Sequence, residues 1–136
     1  MDTLFLDANI LFAAAYRENA GLTCLWKLAG VHLVTSDYAF EEALRNLTEA
    51  VQHRRLNQLM KRVTKVAVRV SSLSAEFPLA DKDRPILDAA IGAGATHLLT
   101  LDERHFGHLY GIVCGGVLIL HPREYIRTKQ RTPESL

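Results

Sequence analysis

The sequence predicts an α/β fold with a mostly parallel sheet of about five strands, and three features point to it. Short apolar runs at residues 3–6, 31–35, 96–101 and 117–120 alternate with stretches of helical spacing. The first run is apolar almost without interruption, as expected of a central strand covered on both faces. Two runs, ending at Leu6 and Leu101, lead directly into an acid, Asp7 and Asp102, where a helix begins. Ligands of open parallel sheets gather outside the carboxyl ends of the strands. Helices on both faces of such a sheet make a three-layer α/β/α sandwich.

Strand one leads into a first helix over residues 10–16. A second helix follows Gly21, where Leu22, Leu25, Trp26 and Leu28 recur at helical spacing, and Gly30 stops it. After the second strand, Ser36-Asp37 is a helix-start signal. The third helix carries Phe40, Ala43, Leu44, Leu47 and Val51 on one stripe, with Glu41 and Glu42 both off it. Another amphipathic stretch covers residues 56–63. Residues 65–70 alternate with period two and read as a third strand, whose basic polar positions suit a sheet edge. Pro85 fits the first turn of a helix over 86–93, preceded by Asp83 or Arg84. The strand at 96–101, a short helix after Asp102, a break at Gly111 and the strand at 117–120 complete one domain over residues 1–126. Residues 127–136 read as a polar, frayed tail.

At 136 residues the chain is long enough to bury its own core. No apolar stretch approaches a membrane span, and no basic start or cleavage site resembles a signal peptide. Cys24 and Cys114 have no metal-binding spacing and suit a reducing compartment, so the cytoplasm is the expected location. Trp26 reads as core. A net charge of +1 conceals segregation. Residues 50–75 contain no acid before Glu76 but hold Arg54, Arg55, Lys61, Arg62, Lys65 and Arg69, while Asp81, Asp83, Asp88, Asp102 and Glu103 follow. A basic block beside an acidic one suits a polyanion-binding surface next to a cation-binding pocket. A solvated helix face gives the same pattern.

Right-handed crossovers bring the ends of strands one, two and four to one edge. That edge collects Asp7, Ser36, Thr100 and Asp102, with Asp83 and the Glu41-Glu42 pair at nearby helix starts. Asp7 alone reads equally well as a helix cap. Several carboxylates in one cleft repel unless cations hold them together, and hard oxygen ligands select Mg²⁺ or Mn²⁺ over zinc. His97, His105 and His121 match no zinc spacing and read as strand or loop histidines. Asp81 reads as a loop acid, and Asp88 as a helix-surface or supporting residue.

These residues together resemble a PIN domain, the nuclease fold of VapC-type toxins and related RNA-cleaving proteins. Leu6-Asp7-Ala8-Asn9-Ile10-Leu11 is similar to the family's opening motif, with Ala8 replacing the usual hydroxyl residue. Ser36-Asp37-Tyr38-Ala39-Phe40-Glu41-Glu42 resembles the second motif, whose spacing selects Glu42. Asp83-Arg84-Pro85-Ile86-Leu87-Asp88-Ala89-Ala90 resembles the third and selects Asp83. Thr100-Leu101-Asp102 with His105-Phe106 resembles the fourth, and Leu120-His121-Pro122-Arg123-Glu124-Tyr125 the closing strand and turn. The order of the motifs, spread over nearly the whole chain, carries the resemblance more than any one of them.

The resemblance implies a metal-dependent endoribonuclease acting on single-stranded RNA. Asp7, Glu42, Asp83 and Asp102 would be both the catalytic residues and the ligands of Mg²⁺ or Mn²⁺, with Asn9, Ser36 and Thr100 orienting them. Arg54, Arg55, Lys61 and Arg62 would contact the RNA backbone. A toxin of this kind implies a cognate antitoxin, and the family a homodimer. The contrasting reading is a catalytically silent PIN-like RNA-binding or scaffold module, which would not need the metal. Receiver-like and phosphatase-like domains also place Asp at strand ends, but Asp7-Ala8-Asn9 lacks the second acid expected of a phosphatase.

Overall fold

The computed structural model describes residues 1–67 and 73–130. Its six-stranded sheet has the order β3-β2-β1-β4-β6-β5. The strands are β1 (Asp2–Leu6), β2 (Val31–Ser36), β3 (Val63–Val66), β4 (His97–Leu99), β5 (Val113–Cys114) and β6 (Val117–Leu120). All pairings are parallel except β5 with β6. The helices are α1 (Ala8–Tyr16), α2 (Asp37–Asn46), α3 (Ala50–Met60), α4 (Arg84–Gly92), α5 (Glu103–Phe106) and α6 (Pro122–Gln130).

β1 is central, and its side chains alternate between two cores. Leu4 and Leu6 pack on one face with Ile10 and Leu11 of α1, Leu56 of α3 and Tyr125 of α6. Phe5 packs on the other face with Leu87 and Ala90 of α4 and Phe106 of α5. All three β1 residues are completely buried, which explains why this strand is apolar at consecutive positions. The result is the three-layer α/β sandwich that the alternation of elements predicts. No described helix is long and apolar enough to cross a membrane.

Four local expectations need correction. The single helix expected to run from Phe40 to Val51 is two helices. α2 ends at Asn46 and Leu47 turns into the core, while Gln52 Oε1 accepts the Thr48 and Glu49 N–H groups at 3.2 and 3.1 Å to start α3. The apolar stripe continues in register across that break, so spacing alone does not reveal it. The segment after Gly21 is a 3-10 stretch, Gly21–Lys27. β3 begins at Val63, two residues earlier than expected, and pairs with β2 at the sheet edge; positions 68–70 of the expected strand lie outside the described residues.

The fourth correction concerns the C-terminal end. The chain continues beyond Tyr125 as α6 to Gln130, where the expected frayed tail would have begun. Tyr125 is buried and its hydroxyl donates to Asp2 Oδ2 at 2.7 Å, fastening the helix to the start of β1. β5 was not legible in the sequence. It is two residues long and turns into β6 through Gly115 and Gly116, both at positive φ (58° and 86°), which only glycine adopts without strain. An added Cβ at Gly115 would also lie 2.8 Å from Ile91 Cδ1.

Candidate metal centre

The parallel register pairs Leu6 of β1 with Leu99 of β4, so the next residues, Asp7 and Thr100, come together at the carboxyl edge. The Asp7 N–H donates to Leu99 O at 3.1 Å, continuing the ladder past the end of the strand. Asp7 is only 5% exposed and caps α1. Its Oδ1 accepts the Ala8 N–H at 2.7 Å, and its Oδ2 accepts the Thr100 hydroxyl at 2.8 Å and Asn9 Nδ2 at 3.2 Å.

Thr100 is a junction. Its hydroxyl donates to Asp7 and accepts from Asn9 Nδ2 at 3.2 Å and the Asp102 N–H at 3.1 Å. Asn9 Oδ1 completes the link by accepting the Leu101 N–H at 2.9 Å. Burial pushes the Asp7 carboxyl up to about 6, the Thr100 and Ala8 bonds oppose the rise, and the Glu42 and Asp83 charges add to it. Ala8 supplies no hydroxyl, but its N–H holds one Asp7 oxygen while Thr100 holds the other.

Glu42 approaches from α2 and is half-buried, whereas Glu41 is exposed. Ser36 sets the direction of α2 as its N-cap, its Oγ accepting the Ala39 N–H at 3.1 Å. The preceding Thr35 ties β2 to the end of β1, donating to Leu6 O at 2.7 Å. In the sequence Thr35 looks like an ordinary strand residue, and nothing there marks it as a tie between β2 and β1.

Asp83 ends a 3-10 turn, Asp81–Asp83, immediately before α4. Its Oδ2 is buried and has no hydrogen-bond partner among the described residues. Burial raises its pKa and the Asp102 charge raises it further, while His105 and Lys82 oppose the rise. Asp102 caps α5: Oδ1 accepts the His105 N–H at 3.1 Å and Oδ2 pairs with His105 Nδ1 at 2.7 Å. Ligand atoms of Asp83, Asp102 and His105 all lie within 4.8 Å of one another.

Asp7 and Glu42 are outside this trio, but the charge of Asp83 reaches Asp7. Tyr110 closes the edge, its hydroxyl donating to Thr100 O at 2.7 Å. Burial, followed by the Glu103, Asp102 and Asp7 charges, pushes its phenol up to about 12, so it remains a donor.

The donor chemistry suits a divalent cation. Asp83 has a buried carboxylate oxygen with no partner among the described residues, a second carboxylate and an imidazole lie close to the same residue, and like charges so placed repel. His105 is the member that sequence reading missed. Its signal is the Asp-x-x-His spacing across the first turn of a short helix, which puts the ring back over the capping acid.

Neighbouring acids play other parts. Asp81 is exposed and pairs with Arg84 at 3.4 Å, and Arg84 otherwise serves the Ser74 and Phe77 carbonyls. Asp88 is buried, which removes the helix-surface alternative and leaves the supporting one open, and its Oδ1 has no partner among the described residues.

The basic block divides as well. Arg54, Arg55 and Arg62 line a cleft of about 690 Å³ that Arg17 and Lys27 also border, and Lys61 does not. Arg55 is committed to α1, donating to the Ala15 and Tyr16 carbonyls, each at 2.9 Å. The indole of Trp26 at the floor of the cleft donates to Leu59 O at 3.0 Å, as suits a core residue. Lys65 pairs with Asp37 at 3.7 Å. Arg69 lies outside the described residues.

No protein-family model matches the chain, and no curated protein sequence matches it. A solved structure does: VapBC2 from Rickettsia felis bound to a DNA fragment from their promoter. The match covers 88% of this chain and 98% of that one, with a TM-score of 0.62 and 12% sequence identity. The likeness is one of fold. It agrees with the PIN-like sandwich that the motif order implies and extends over nearly all of both chains.

Proposed function

We propose that the protein is a metal-dependent endoribonuclease of the VapC type that hydrolyses single-stranded RNA. One observation carries the reading. Carboxylates from the end of β1, from α2, from the turn before α4 and from the end of β4 share one sheet edge, and a buried Asp83 oxygen there has no partner among the described residues. Asp7, Glu42, Asp83 and Asp102 would hold Mg²⁺ or Mn²⁺. When bound, the ion supplies Lewis acidity toward the phosphate and lowers the pKa of a coordinated water.

The chain's own residues do the positioning. Thr100 and Asn9 fix the Asp7 carboxylate in one orientation and tie it to the backbone entering α5. Ser36 aims α2, which carries Glu42. Arg54 and Arg62 at the basic cleft are suited to backbone phosphates, while Lys61 is a weaker candidate and Arg55 already serves α1. The VapBC2 likeness favours a partner protein that silences the activity, and we extend the proposal to a homodimer working in the cytoplasm.

The test is cleavage of a mixed single-stranded RNA by purified protein with Mn²⁺, with EDTA, and by the Asp7→Asn variant. The proposal expects cutting with Mn²⁺ that EDTA and Asp7→Asn both abolish. Cutting that survives EDTA would contradict it. Absence of both cutting and metal binding would favour the silent scaffold.

A further inference from the structure

We infer that His105 supplies a nitrogen ligand to the ion held by Asp83 and Asp102, so that the centre selects Mn²⁺ over Mg²⁺. This rests on the metal-centre reading above and adds to it a ligand and a metal identity that an all-carboxylate site would lack. The first support is proximity, since the ligand atoms of Asp83, Asp102 and His105 lie within 4.8 Å of one another. The second is the state of the two acids. Asp102 uses both oxygens within the first turn of α5, on the His105 N–H and the His105 ring, whereas Asp83 Oδ2 is buried and has no partner among the described residues. A hydrogen bond between His105 and Asp102 accounts for one ring nitrogen and leaves Asp83 unsatisfied. A cation between the carboxylates and the ring would take the place of the hydrogen-bonded proton, accept the Nδ1 lone pair and give Asp83 a partner.

The ring is also held in place beforehand. Its backbone N–H is fixed by Asp102 Oδ1 at 3.1 Å and its Nδ1 by Oδ2 at 2.7 Å, and its side chain is 28% exposed. Carboxylate oxygens serve Mg²⁺ and Mn²⁺ alike. An imidazole adds affinity for first-row transition ions and little for Mg²⁺, which keeps oxygen ligands and its own waters.

The experiment uses full-length protein, Mn²⁺ and Mg²⁺, and no RNA. Pulsed electron paramagnetic resonance of the Mn²⁺ complex should show a directly coordinated ¹⁴N nucleus, and that signal should disappear in His105→Gln. Calorimetry should show Mn²⁺ affinity falling by about tenfold or more in His105→Gln, with Mg²⁺ affinity changing by less than about threefold. The wild-type spectrum needs no variant, so a His105→Gln protein that fails to fold leaves the measurement intact. Mn²⁺ bound without coordinated nitrogen would overturn the inference and spare the nuclease reading. Equal losses for both ions would also overturn it, since they indicate a general disturbance of the edge. No Mn²⁺ binding at all would remove both.

Discussion

The two halves of the acidic edge are built on opposite principles. On the β1 side Asp7 is nearly inaccessible and fully engaged, with Ala8, Asn9 and Thr100 each donating to it. On the α4–α5 side Asp83 has a buried oxygen with no donor among the described residues, beside Asp102 and His105. The protein satisfies the first half by itself, while the second half leaves a buried carboxylate oxygen without a partner among the described residues. Charged groups at a sheet edge are therefore no guide to function until their hydrogen bonds have been accounted for.

The largest expected effect separates the halves by chemistry. Asp83→Asn and Asp7→Asn should each lower the RNA cleavage rate by about a hundredfold or more in single-turnover assays, because each removes a charge that would hold the metal. Their effects on metal-free stability should differ. For Asp7 the folded pKa, about 6, exceeds the ordinary value of 3.8. The folded state therefore binds its proton more tightly, and the stability gained in acid is lost as pH rises through about 6. The difference between these values corresponds to about 3 kcal/mol at most, partly offset in Asp7→Asn by the altered bond to Thr100. Urea titrations of metal-free protein should show wild type weakening from pH 4 to 7, with a flatter profile for Asp7→Asn.

Saturating Mn²⁺ sharpens the comparison from the other half. At a hundred times its dissociation constant it should stabilise the wild type by about 2.7 kcal/mol in thermal melts, and this gain should be absent in Asp83→Asn. Thr100→Val tests the self-satisfied half. Losing the hydroxyl leaves Asp7, Asn9 and the Asp102 N–H each short of a partner and should cost about 1–3 kcal/mol in chemical denaturation. Because the Thr100 bond opposes the rise in the Asp7 pKa, the acid limb of the activity profile should move to higher pH. The smallest effect is expected away from the edge. Arg54→Ala and Arg62→Ala should each weaken RNA binding and reduce the salt dependence by about one phosphate contact.

The fold was largely legible because its determinants are local. Apolar runs, helix-start residues and strand-ending acids specify β1, β2, β4, β6 and the helices between them. What escaped depends on tertiary pairing or on short segments. β5 has only Val113 and Cys114 to announce it, and its hairpin lies in two glycines. The α2–α3 break depends on Gln52 reaching back to Thr48 and Glu49. α6 is polar along most of its length and is held by the buried Pro122 and Tyr125, with Ile126 packed beside them.

At the candidate site, acids at strand ends could be named from sequence because position along a strand predicts the edge they reach. The place of His105 beside them is only hinted at by the Asp-x-x-His spacing, because it depends on a ring folding back against Asp102 and near Asp83. The burial of Asp88 was hidden for a similar reason. An acid on an otherwise Ala-rich helix reads as solvated unless the layer packed over it is known.

Equilibrium binding of Mn²⁺ to wild type and to Asp83→Asn, followed by isothermal titration calorimetry near neutral pH, tests the central claim most directly. The account predicts saturable binding to the wild type that is lost in Asp83→Asn while the variant remains folded by circular dichroism. Binding of equal strength in both proteins, or none in either, would contradict the assignment of this edge as a metal centre.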